Sequence, residues 1–172
     1  TINYEEHIQP LWSLERTAAD PLDPVQNQSC ISCHAAVDDM GVAQVPTAQL
    51  DLSAMASSDE PDHLTSYREL LFQDNEQENV GGVIIDRLVQ ATDDNGNPLF
   101  QTDAEGNQIL DSAGDPIPVL TSVPINALMR PAGALASAQF FAPFDAAGSH
   151  PAWLSDAELR LISEWLDIGA QY

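Results

Sequence analysis

The chain is 172 residues long and 44% apolar. That is enough for one domain with a real core, and no apolar run approaches the roughly 20 residues of a membrane-spanning helix. Twenty-seven acidic residues face five basic ones, all arginine, for a net charge of −22, which repels nucleic-acid phosphates and anionic lipid and argues against both as partners.

The acidity serves either solubility or steering toward a basic partner surface. Thr1 opens directly on an amphipathic segment, so the chain is expected to be a mature or excised piece of a longer protein. Residues 3–16, "NYEEHIQPLWSLER", predict an N-terminal helix with Ile8, Leu11, Trp12 and Leu14 on its apolar side, broken or kinked at Pro10. The stretch before Cys30, "DPLDPVQNQS", is polar, holds two prolines and predicts no strand. Residues 42–62 carry Pro, Ser and Asp punctuation and read as loop. "DHLTSYRELLFQ" (62–73) and "VGGVIIDRLV" (80–89) predict two further helices.

Residues 92–118 contain a degenerate repeat centred on Asn95-Gly96-Asn97, Glu105-Gly106-Asn107 and Ala113-Gly114-Asp115. Each glycine offers the positive φ of a tight turn, so small hairpins are expected. A calcium loop fails on spacing. With each glycine as the sixth position, the twelfth falls on Thr102, Ser112 or Leu120, none of them acidic. In the C-terminal helix, Ser155 and Glu158 make a capping box preceded by Leu154 as a staple. Leu159, Ile162, Trp165 and Leu166 then form an apolar stripe that Gly169 ends.

The chemistry concentrates in "CISCH", Cys30 to His34, which holds both cysteines of the chain. A thioredoxin-type dithiol needs a buried strand before it. A structural zinc site needs four ligands, and the other histidines are His7, His63 and His150, with no second cysteine pair. A disulfide leaves His34 unexplained. Covalent haem attachment uses every residue of the motif: the thiols form thioethers with one porphyrin edge, and the next residue, His34, gives an imidazole to the iron.

The order of an N-terminal helix, "CISCH", a methionine before a proline-containing loop and the last helix "LSDAELRLISEWLDIGA" resembles monohaem c-type cytochromes. More closely, "YEEHIQPLW", "SYRELLF" and "RPAGALASAQFFAPFDAAGSHPAWLSDAELRLISEWLDIGAQY" resemble cytochrome domains embedded in large secreted bacterial proteins. Some of those are described as related to the haem-bearing alpha subunit of hydrazine synthase, and some carry carbohydrate-binding modules. The resemblance implies a mainly α, cytochrome c-like helical fold over residues 1–172 around one covalent haem. A small β-hairpin insertion at about 92–120 is added to it.

The resemblance also places the sixth iron ligand at Met129, in "NALMRPAG", with His150 or Met55 as the alternatives. Pro131 and Gly133 suit an irregular backbone there. Met40 follows His34 too closely to reach round a porphyrin. Arg130 is the candidate partner of a haem propionate, with Arg68 and Trp153 behind it.

The expected function is single-electron transfer with a redox partner protein that carries a basic or apolar docking surface. The resemblance to secreted polysaccharide-degrading systems implies a polysaccharide-active copper oxygenase as one candidate for that partner. The rival is a haem enzyme or sensor with an open distal site, peroxidase-like or gas-binding, but dihaem peroxidases need a second attachment motif and gas-binding four-helix cytochromes carry theirs near the C-terminus. A sugar-binding module is disfavoured by an aromatic content of 6%. Covalent haem attachment in bacteria happens outside the cytoplasmic membrane, which implies a periplasmic or extracellular address.

Overall fold

The computed structural model describes residues 1–17 and 27–172; the proline-containing stretch 18–26 lies outside them. The chain opens with a wide π turn, Tyr4–Ile8, that runs into helix α1, Gln9–Ser13. Asn3 starts the turn by accepting the Glu6 N–H on its side chain. Pro10 has no N–H and its ring would crowd the carbonyl four residues back. The wide turn absorbs this, because the Gln9 N–H reaches Tyr4 O, five residues back. A strand pair follows, β1 (Arg16–Thr17) antiparallel to β2 (Asn27–Gln28). A strand therefore does precede Cys30, but it is two residues long and pairs antiparallel with β1, unlike the strand of a βαβ unit.

Helix α2, Thr65–Leu71, lies inside the predicted 62–73 segment. The predicted helix at 80–89 does not form. Strands β3 (Asp74–Asn75), β4 (Gln77–Val80), β5 (Val83–Asp86), β6 (Leu88–Gln90), β7 (Leu120–Ser122) and β8 (Pro124–Ile125) take its place. They pair antiparallel as β3–β8, β4–β5 and β6–β7. Gly81 and Gly82 sit at φ of +64° and +89°, a turn that a right-handed helix cannot hold. The fold is therefore mixed α/β, with 28% helix and 20% strand, and the mainly α expectation is corrected. The hairpin region runs from Asp74 to Ile125, well beyond 92–120.

At its tip, Asp93, Asp103 and Asp111 build three near-identical turns. In each, the Asp Oδ1 accepts the N–H groups two and four residues on. A fourth copy sits at Asp38, whose Oδ1 accepts from Met40 and Val42. The shared signal, Asp followed three residues later by Gly, is legible in the sequence once the spacing is known.

After the hairpins come α3 (Ala138–Phe141) and α4 (Asp156–Asp167). The capping box of α4 is formed, with reciprocal bonds between Ser155 and Glu158, Leu154 is buried beneath it, and Gly169 ends the helix at φ +97°. The core packs the termini together. Tyr4, Ile8 and Trp12, one per turn, bury against Ile162, Trp165 and Leu166 of α4. The Tyr4 and Trp165 rings lie 5.4 Å apart, and the Tyr4 N–H donates to Gln171 O. Leu14, expected on the apolar side, is exposed because the helix ends at Ser13.

Candidate functional site

Ser29 and Ser32 fold the attachment segment locally. The Ser29 N–H donates to Ser32 Oγ and the Ser32 N–H to Ser29 O, opening a 3₁₀ turn, Cys30–Ser32. The His34 N–H then donates to Cys30 O over 2.9 Å, so the two cysteines and the histidine share one turn. Ile31 packs on the core. Cys30, Cys33 and His34 all line one cavity of about 580 Å³.

Most of the other walls are apolar: Trp12 from α1, Leu50 and Leu52 from the loop after the motif, and Leu128, Phe140 and Phe144. Ala48, also on the wall, holds left-handed backbone at φ 56°. Its neighbour Gln49 is braced from the hairpin region: its Nε2 donates to Gln77 O, and the Gln77 N–H donates to its Oε1.

His34 and His150 both line the cavity, with ring centres 6.1 Å apart and planes at 44°. Burial pushes the His34 ring below the usual imidazole range and a charge on His150 adds to this, while the nearby Thr47 and Leu50 backbone works the other way. His34 Nδ1 is buried and makes no hydrogen bond of normal geometry. Burial raises the Cys30 thiol, and the Arg16 guanidinium, with Nη1 3.9 Å from the sulfur, opposes that rise. Cys33 is exposed at the mouth, and the two thiols are not joined.

The remaining expected residues are scattered. Met129 is fully buried in the core and does not line the cavity. Its N–H donates to Leu70 O, and the turn after it is fixed by Ser137 Oγ, which accepts the Arg130 N–H and donates to Gly133 O. Those bonds hold the methionine in the core beside α2. Arg130 is exposed and off the cavity. Met55 and Met40 are 70% and 84% exposed. His7 bonds Asn3, His63 packs on Tyr67 and Tyr172, and Arg68 lies over the Phe72 ring. Trp153, by contrast, lines the cavity beside His150.

Sequence reasoning missed Arg16, Phe140 and Phe144. Phe140 and Phe144 stand in a Phe- and Ala-rich run whose spacing could have suggested a buried face. Arg16 carried no local signal, since its partner Glu158 is 142 residues away.

A smaller hollow of about 230 Å³ lies by α2, among Asp51, Arg68, Glu69 and Asp74. There burial, reinforced by Asp74 and Asp51, pushes the Glu69 carboxyl up to about 9.

Among the described residues, no group of three or more His, Cys, Asp or Glu is placed to hold a metal ion. The donor side chains that line the cavity are Cys30, Cys33, His34 and His150. Compared with protein families, with curated proteins and with solved structures, the chain finds no match.

Proposed function

We propose that this chain binds one haem c in the cavity beside Cys30 and Cys33 and transfers single electrons to or from a partner protein. The observation that carries the reading is that both thiols and the His34 imidazole open into one mostly apolar cavity of about 580 Å³. That volume lies in the range of about 300–1,000 Å³ typical of cofactor pockets. Cys30 and Cys33 would hold the group as thioethers, each S–H adding across one vinyl double bond with no net oxidation. His34, which lines the cavity beside the two thiols, would give an imidazole nitrogen to the iron. When bound, the haem supplies a one-electron iron couple.

The chain's own residues exclude water and limit access. Trp12, Leu50, Leu52 and Phe140 wall the cavity, which favours electron exchange over attack by solvent. Exposed Cys33 leaves the thioether edge as the side nearest a docking partner. The context that goes with this reading is a haem-bearing domain of a larger protein, working in the periplasm or outside the cell. A net charge of −22 fits a partner with a basic or apolar docking surface, for which a secreted copper oxygenase acting on polysaccharide is one candidate.

Denaturing mass spectrometry of protein made in cells with a working haem-attachment system tests the reading. The expected mass is the polypeptide plus one haem, lost in Cys30→Ala/Cys33→Ala. A wild-type mass without haem overturns it.

A further inference from the structure

We propose that His150, and not a methionine, is the second axial partner opposite His34; this rests on the haem reading above. Both rings line the cavity, and their centres are 6.1 Å apart. A metal-bound imidazole nitrogen sits about 2 Å from the ion and about 1 Å from its ring centre, so two imidazoles sharing one ion have centres about 6 Å apart. The observed spacing of 6.1 Å matches that requirement.

The loop carrying His150 is built to hold it. The His150 N–H donates to Pro143 O over 2.8 Å, and the Gly148 N–H donates to Asp145 O. A Cβ on Gly148 would lie 2.2 Å from that same Pro143 oxygen, so only glycine permits the close approach. Ser149 Oγ lies 2.7 Å from His150 Nδ1. With Nδ1 donating to Ser149, the lone pair resides on Nε2, the nitrogen left for a metal.

Met129 has no comparable geometry. It is fully buried in the core, away from the cavity lining. Filling both axial positions with imidazole leaves no open place for peroxide or dioxygen. It also gives a lower potential than a histidine–methionine pair, because thioether ligation favours ferrous iron.

The test is the ferric holoprotein spectrum, optical and paramagnetic, taken on samples whose haem content is fixed by mass spectrometry. The expected wild-type result is a low-spin haem with no long-wavelength sulfur-to-iron band, which needs no variant to read. His150→Ala should turn the spectrum high-spin, with low spin restored by added imidazole, and Met129→Leu should leave it unchanged. A sulfur-to-iron band in the wild type, a high-spin wild type, or a low-spin His150→Ala without imidazole overturns the assignment while haem binding stands. A haem-free mass overturns both.

Discussion

Arg16 and Glu158 form an ion pair that spans the chain, with Nη2 2.6 Å from Oε1 and the two side chains only 13% and 17% exposed. The same guanidinium donates through Nη1 to Leu11 O and Leu14 O and approaches Cys30 Sγ. One side chain therefore ties the end of α1, the cap of α4 and the attachment turn.

Arg16→Met should destabilise the protein by about 1.5–3 kcal/mol, the usual worth of hydrogen bonds to charged groups. A double-mutant cycle with Glu158→Gln should return a coupling of about 0.5 kcal/mol or more by denaturant unfolding. Burial works to raise the Glu158 carboxyl, but the Ser155 and Arg16 bonds outweigh it and hold the group below its usual range. The pair's contribution is thus present at neutral pH and lost as pH falls through that depressed value. Arg16→Met should also move the pH midpoint of Cys30 alkylation in haem-free protein upward. Equal stability of the four proteins would refute the coupling.

Glu69 keeps its proton near neutral pH, since its carboxyl is pushed from 4.5 to about 9 by burial and by Asp74. Over that window the folded state binds a proton that the unfolded state has released, so stability falls as pH rises from 4.5 toward about 9. Glu69→Gln should flatten this slope. Urea midpoints across the window check it, and an unchanged slope in the variant would refute the assignment.

The hairpin tip is separable from the cavity. The Ala91 N–H donates to Val119 O at its base, so a two-residue Asn-Gly turn can replace 92–118. Closure entropy changes slowly with loop length, and the Gln49–Gln77 brace lies outside the deleted part. The excised protein should keep its haem and its spectrum, with stability changed by about 1 kcal/mol or less. Loss of the haem on excision would show that the tip shapes the cavity.

The charge of −22 predicts how electron transfer responds to salt. Attraction to a basic partner raises association rates by roughly 10- to 1,000-fold, and salt screens it with a Debye length of about 10 Å at 0.1 M. Stopped-flow reduction should slow steeply with ionic strength for a basic partner and accelerate for an acidic one. A flat profile with the fastest partner would leave acidity as a solubility device.

The amino-acid sequence by itself determined the features whose causes are local. "CISCH" is one turn of chain held by Ser29, Ser32 and Cys30 O, and α4 is set by Ser155, Glu158 and its own apolar stripe. The Asp-and-Gly turns are equally local, since each Asp accepts from N–H groups two and four residues on. Residues 80–89 were misleading because a short apolar run suits helix and strand alike, and the Gly81-Gly82 turn needed pairing with β4 to settle it. Only the tertiary structure decided that α1, the 47–52 loop and the 139–153 segment close around one cavity. It also decided that Met129 turns into the core while the His150 ring lies 6.1 Å from that of His34. Both outcomes depend on contacts between segments far apart in the chain, such as the Met129 N–H on Leu70 O and the His34 ring near that of His150, for which spacing along the chain carries no signal.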